Sequence, residues 1–466
     1  MSVNDTASSA SYKGLTPYPL GSLRELWAIA WPLMLSSLSG NVMVFVDRLI
    51  LTHYSSDAFN ACSSVQPWYW AIQASLITVV CGSNVVMGRL NGAKQYRLIG
   101  TIVLQMIMLS LCCYLITVPV AVIGRSLLAD SIAELGLPYF RILLMEIPFE
   151  VATSGALGSF FIAIGKTRII TMVALTANIL NSFLAYWFVF GGLGIPSLGI
   201  RGAALANSLS NLIAFSIYLT LFLQKENRSF YGINTFKWSN PLLIQCLKIG
   251  LPNAITAFII SSGISASYQF FADYLSPEIY KAFCVCFTVF NLSVFIMMGL
   301  SGGVGTLCSN LMGAKKNDWF PCILKNACYL TGLLGIAFLV FLLLSDPIVR
   351  YFATDSYADN AGFRAQMSLY LKWTWPMFLF QVTTYCINAF LFALFKIKEI
   401  LSVQIISYVF FIFIPSYVLV KFFNQNSVIF LQLTVLKDVL VLLGFCLWFR
   451  RGTWQEVQAP IEEGCA

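Results

Sequence analysis

Long apolar runs recur from one end of this chain to the other, and no other feature limits its folding so strongly. A helix rises 1.5 Å per residue, so about 20 apolar residues cross the hydrocarbon core of a bilayer. Inside lipid every backbone polar group must be paired within the protein, which leaves helices or closed barrels. The runs here have helix length, so the chain is expected to be an all-α integral membrane protein. Only 10% of its residues are charged and its mean hydropathy is +0.79, which excludes a soluble globular domain. The net charge of +8 does not point to nucleic acid, because the basic residues stand singly between apolar runs. Most of the thirteen cysteines are buried in those runs, among them Cys112, Cys113, Cys284 and Cys286. With no CxxC pair and no neighbouring histidine they read as small apolar fillers, not as metal ligands.

Runs bounded by Gly, Pro or charge are placed near 25–52, 58–87, 98–123, 135–164, 168–191, 202–224, 244–272, 282–312, 321–345, 365–395, 399–421 and 428–449. The links between them alternate in charge. One set carries Arg89, Lys94 and Arg97, then Lys166 and Arg168, Lys225, Arg228 and Lys237, Lys315, Lys316 and Lys325, and Lys396 and Lys398. The other carries Arg125, Arg201, Lys281, Arg350 and Lys421 with acids such as Asp130, Glu278, Asp355 and Asp359. The positive-inside rule puts the first set and both termini in the cytoplasm. The N-terminus is polar and has no apolar core before a cleavage site, so the first span itself is expected to direct insertion.

The chain also repeats itself. Gly92-Ala93-Lys94 matches Gly313-Ala314-Lys315 at an offset of 221, and Pro32 matches Pro252 at 220. Gly165-Lys166 is paired with Ile397-Lys398 at 232, which requires an insertion between. These offsets predict about twelve helices in two pseudo-symmetric six-helix lobes, related by an axis along the membrane normal. The organisation is then a cytoplasmic segment 1–24, an N-lobe 25–224, a cytoplasmic linker 225–243, a C-lobe 244–449 and a cytoplasmic tail 450–466. A cleft between two such lobes can rock from one side to the other.

Within that frame the first span draws attention. Pro32 removes a helical hydrogen bond and predicts a hinge. Asp47 is costly in or near lipid unless water, a partner or a proton accompanies it. Its counterpart at an offset of 220 is Ser267, so the halves share a framework but not the acid. Neighbouring helical residues point about 100° apart, which makes Arg48 an awkward partner. Glu146 and Glu150 lie at i and i+4 around Pro148, on one face of span four. They read either as a second-tier proton or substrate site, or as acids neutralised by Arg141 or by another helix. Lys437-Asp438, in the middle of span twelve, reads as an interior polar patch or, less simply, a substrate contact. Asn181 and Asn207 could be hydrogen-bond glue between helices or part of a cation site with Asp47. His53, the one histidine, reads as solvated at the end of span one. Trp68-Tyr69-Trp70, and Trp373 with Trp375, read as interfacial belts or helix packing.

Pro32 with Phe45-Val46-Asp47, GSNVVMGRLNGAK at 82–94, GKTR at 165–168 and NILNSFLAYWFVFGGLGIPSLGIRGAALAN at 178–207 occur in an order and spacing that is specific. On these motifs the chain resembles the multidrug and toxic compound extrusion (MATE) family over nearly its whole length. The resemblance implies a secondary antiporter that exports organic cations or other amphiphiles in exchange for H⁺ or Na⁺. It also implies that Asp47 is the coupling carboxylate, with Asn181 and Asn207 as the polar residues of helices five and six. The chain departs from the family pattern at Ala185, Ile260 and Thr383, where some members carry acids. Those departures weaken a multi-carboxylate Na⁺ cage and favour H⁺ as the coupling ion. No cofactor or metal, no enzyme activity and no nucleic-acid partner is expected. The expected partners are a small amphipathic or cationic substrate and membrane lipid, for a monomer in the plasma membrane (the inner membrane of a bacterium).

Other classes of function find less support. A lipid-linked saccharide flippase of the same superfamily would be expected to have extra spans and clustered basic residues within spans, which this chain lacks. An embedded enzyme would need clustered His, Asp or Cys groups near one interface. A channel does not require two lobes with one asymmetric acid. No GxxxxGK[ST] motif provides for ATP binding.

Overall fold

The computed structural model describes residues 14–451 apart from 128–129, 193, 275–278, 280–282, 284–285, 288, 292, 345–360 and 424–427. The outer parts of the two terminal segments, and Cys284, Glu278, Lys281, Arg350, Asp355 and Asp359, lie outside the described residues. Helices α1 to α6 are Leu23–Tyr54, Ser56–Gly92, Tyr96–Ser126, 130–163, Thr167–Phe190 and Ile200–Phe222. A short helix, Lys225–Phe230, lies in the link. Helices α7 to α12 are Asn240–Tyr274, Val294–Gly313, Phe320–Leu343, Ala361–Ala393, 397–423 and Val428–Arg450. Eleven of these twelve elements contain stretches long and apolar enough to cross a membrane. The remaining one, α4, is long enough but carries Arg141, Glu146 and Glu150, and it passes through a π-helical stretch at Val151–Gly158. The chain is an all-α integral membrane protein.

The buried side chains form two apolar cores. One gathers most of α2 to α6, and the other most of α8 to α12. The first helix of each half divides its packing between them. Leu26, Ile29, Ala30 and Met34 of α1 belong to the C-terminal core, while Leu33, Ile50 and Leu51 belong to the N-terminal one. Leu242, Cys246 and Ile249 of α7 cross the other way, into the N-terminal core. Close approach of backbones makes this crossing possible. A Cβ on Gly82 would collide with Gly250, and one on Gly303 would press on Ala30. These two contacts are equivalents of each other under the 220–221 offset.

The junction between α2 and α8 obeys the same symmetry. A Cβ on Gly92 would strike the carbonyl of Asn310, and one on Gly313 would strike that of Arg89. Lys94 and Lys315, which follow these glycines, share a left-handed backbone at φ 61° and 56°. Further along the repeat the structure corrects the sequence pairing. Lys166 N–H bonds Phe161 O and Lys396 N–H bonds Leu391 O in the same turn, with Gly165 at φ 77° matched by Phe395 at φ 58°. The equivalent of Gly165-Lys166 is therefore Phe395-Lys396, at an offset of 230, and not Ile397-Lys398. A shared lysine two residues on had disguised the register.

Candidate functional site

A polar ladder joins α1 to α5. Thr171 Oγ1 donates to the carbonyl of Pro32 at 2.6 Å, and Asn178 Nδ2 donates to Ser39 Oγ at 2.8 Å. Asn181 Nδ2 reaches both carboxylate oxygens of Asp47, at 3.1 and 3.0 Å. Positions 171, 178 and 181 lie on one side of their helix, as do 32, 39 and 47, because steps of three, seven and eight residues all return to within about 80° of the starting direction. Pro32 lies within an unbroken helix, its carbonyl held from the side. Arg48 points elsewhere, donating to Gln66 at 2.8 Å and lying 5.8 Å from the Trp70 ring. Among the described residues no cation forms an ion pair with Asp47.

A second polar cluster lies deeper among α2, α4 and α6. Tyr69 Oη is 2.8 Å from Glu146 Oε1 and 3.1 Å from Glu150 Oε2. Gln73 Nε2 donates to Glu150 Oε2 at 2.5 Å, and Asn207 Nδ2 to Glu146 Oε1 at 2.6 Å. The hydroxyl has one hydrogen and can donate to only one glutamate. The second contact is complete when that glutamate carries a proton itself, so the geometry suits two carboxyl groups sharing a proton. Arg141 is not their counter-ion, since its Nε bonds the carbonyl of Ala121 at 3.0 Å. Glu150 closes the α-helical part of α4, where the π-helical stretch begins. Such stretches are frequent at functional sites because they re-aim side chains within a continuous helix.

Both clusters face one cavity of 620 Å³. It runs from Ile162 and Ile170 to Leu51 and Cys62, with Asp47, Glu150, Tyr69, Gln73 and Asn207 on its wall. Tyr139, hydrogen-bonded to Cys62 Sγ at 3.4 Å, also lines it. No group of His, Cys, Asp and Glu suited to a metal ion occurs among the described residues.

The structure thus brings Asn181 to Asp47 but gives Asn207 to Glu146, separating a trio that the sequence had grouped. Lys437 and Asp438 are buried together at 2.9 Å, with the Lys437 ammonium 4.3 Å from the Tyr408 ring, and neither lines the cavity. His53 is exposed and bonds Leu49 O of its own helix. Sequence placed Tyr69 in an aromatic belt or in helix packing; it is buried, at the centre of the carboxyl cluster. Its signal was the stripe Gln66, Tyr69, Gln73, which returns to one helix face at three- and four-residue steps. Ser39 and Asn178 were passed over; Thr171, Asn178 and Asn181 form a similar stripe on α5.

The chain matches the MatE family model over residues 32–187 and 253–418. A probable multidrug resistance protein NorM of Thermotoga maritima is 25% identical over 351 residues, covering 71% of this chain and 72% of that protein. A probable multidrug resistance protein YoeA of Bacillus subtilis is 24% identical, covering 70% and 72%. In three dimensions the chain resembles an outward-facing multidrug resistance MATE family transporter of the MOP superfamily. That likeness has a TM-score of 0.83 at 15% identity, over 95% of this chain and 99% of the other. A MATE structure in a straight conformation and one in a bent conformation each align at a TM-score of 0.79, over 93% of this chain and 97% and 96% of theirs, at 17% and 16% identity. With both matched segments together spanning most of its length, the chain belongs to the MatE family, a family of membrane transporters.

Proposed function

We propose that the protein exports organic cations or other amphipathic compounds by alternating access, driven by proton entry, with Asp47 as the coupling carboxylate. The observation that carries this reading is the state of Asp47. It faces the cavity with Asn181 across both oxygens and no described cation in an ion pair with it. An amide steadies a carboxylate without cancelling its charge, so a proton or a bound cation completes the site. The described cavity wall carries Asp47 and Glu150 against one arginine, Arg48, which suits a cationic guest better than an anionic lipid-linked sugar. Ala185, in a fully buried position on α5, adds no oxygen near Asn181, which favours H⁺ over Na⁺. The relatives' names as multidrug resistance proteins are in keeping with a broad substrate range.

Binding of substrate and proton in one cavity links their affinities reciprocally. Proteoliposomes loaded with a fluorescent organic cation test the reading directly. Efflux should follow an imposed pH gradient at constant Na⁺ and vanish in Asp47→Asn. Efflux that requires a Na⁺ gradient at constant pH would overturn the choice of ion. Undiminished efflux in Asp47→Asn would remove that residue from the mechanism.

A further inference from the structure

The seam that closes the end joining α2 to α3 and α8 to α9 contains two hydrogen bonds that are equivalents under the internal repeat. Asn310 Nδ2 of α8 donates across the seam to the carbonyl of Ala163, at 2.9 Å. Arg89 Nη2 of α2 donates across it, in the other direction, to the carbonyl of Ala393. Arg89 and Asn310 are 221 residues apart, and Ala163 and Ala393 are 230 apart, the two offsets found for those parts of the repeat. One arm is neutral and the other is charged. Asn91 Nδ2 adds a bond to Asn310 Oδ1 at 2.7 Å on the neutral side.

The charged arm has a further departure from symmetry. The Arg89 guanidinium lies 3.6 Å from the centre of the Phe395 ring. Phe395 occupies the left-handed backbone position that its equivalent Gly165 occupies without strain, at φ 58° against 77°. A bulky residue there is a genuine outlier and persists only when its surroundings require it. Here the ring supplies a face for a guanidinium that is buried, has no described carboxylate partner and leaves Nε without a hydrogen bond. A buried charge held only by one carbonyl and one ring costs more than a neutral amide making the same bond.

We propose that Arg89, seated on Phe395, is a positioning residue for the transport cycle: a deliberately weak latch that lets this end open, set against the stronger neutral latch of Asn310. When the end opens, water reaches Arg89 and returns the desolvation cost, while Asn310 gains little. The two equivalents therefore bias the same closure in opposite directions. The inference rests on the alternating-access reading, because it needs this end to open during turnover.

The test is a distance measurement in proteoliposomes. A spin-labelled keto amino acid at Gln95 and another at Asp318, both exposed and one in each half, leave the native cysteines in place. Arg89→Gln keeps an amide donor for Ala393 and removes the charge, so the open-to-closed ratio should fall about fivefold, with Vmax falling and KM for substrate little changed. Asn310→Ala removes its bond to Ala163 and the one it accepts from Asn91, so it should raise the ratio by about twenty-fivefold, the worth of two hydrogen bonds. Phe395→Gly should also raise it, but only while Arg89 is present; added to Arg89→Gln it should change little. That dependence is one a merely structural role would not produce, and the single Phe395→Gly effect remains measurable if Arg89→Gln folds poorly. Two interconverting distances with equal ratios in wild type and Arg89→Gln, or a Phe395→Gly effect independent of Arg89, would overturn the latch alone. A single closed distance in the wild type under every gradient would overturn the latch together with the transport cycle beneath it.

Discussion

The N-terminal and C-terminal cores are built on one framework and filled in contrasting ways. Around the cavity the N-terminal core holds Asp47, Glu146 and Glu150, bound by amides and a phenol and by no described cation. The C-terminal core is closed with aromatic rings, such as Phe271 against Phe283 at 5.0 Å and Phe338 against Phe378 at 4.6 Å. Its buried acid, Asp438, is already paired with Lys437. An acid held by neutral donors can still exchange a proton or take a cation. An acid paired with an ammonium in an apolar interior is neutral as a unit, so neither partner needs a proton or an outside cation to balance its charge. On the proposed function, the difference places the chemistry in one half and leaves support to the other, although both are built on the same pattern of helices.

The sharpest way to break this contrast is to neutralise one acid in each half. Asp47→Asn should abolish gradient-driven efflux, a loss of more than about tenfold in rate, while the protein folds and still binds substrate. Asp438 should answer in a different measurement. Lys437→Met leaves a buried carboxylate uncompensated and should lower stability by about 3–5 kcal/mol in denaturant unfolding. Replacing both residues with apolar ones of similar volume should recover most of that loss and leave transport intact. Transport lost in the double variant, with the fold retained, would put a working site in the C-terminal half.

A smaller effect is expected within the carboxyl cluster. Tyr69→Phe removes the hydroxyl that joins Glu146 to Glu150 but keeps the ring in its buried place. If the pair works with Asp47 in coupling, the pH dependence of efflux should move and the rate should fall by about three- to tenfold. If the pair only steadies α4, unfolding should shift by about 1–2 kcal/mol with the pH profile unchanged.

Much of this architecture was legible before any coordinates, because lipid imposes strict rules. Crossing hydrocarbon needs a long apolar run, so the spans could be counted; only α4 is blurred, by its charges and its π-helical stretch. The repeat was visible where glycines are demanded by contact, as at Gly92 and Gly313, and was lost where Phe395 replaced a glycine. Asp47 stood out because a lone acid in an apolar run has few explanations. Its partner Asn181 was within reach of sequence reasoning, but the destination of Asn207 was not, since which helix faces which is a tertiary fact. The exchange of α1 and α7 between cores leaves no local pattern at all. Arg89 looked like one more basic residue at a helix end, and its burial follows only from the seam that closes over it.

The smallest effect expected concerns the two prolines that the repeat pairs. In α7 the carbonyl of Pro252 accepts from Thr256 Oγ1 at 3.1 Å, one turn along the same helix. In α1 the carbonyl of Pro32 accepts from Thr171 Oγ1 at 2.6 Å, on a different helix. Each bond contributes about 1 kcal/mol net to stability, but they constrain different motions. The first adjusts a helix internally. The second ties α1 to α5 a few turns from Asp47, so any movement of α1 against its neighbour must break or carry it. Thr171→Val keeps the branched shape and removes the donor. It should cost about 1 kcal/mol of stability and change the rate of efflux by about two- to fivefold, with Asp47 still required. Thr256→Val should stay within about 0.5 kcal/mol and leave the rate alone. Equal effects of the two substitutions on transport would mean that the α1–α5 ladder has no special part in the cycle, and that the division of labour between the halves stops at their acids.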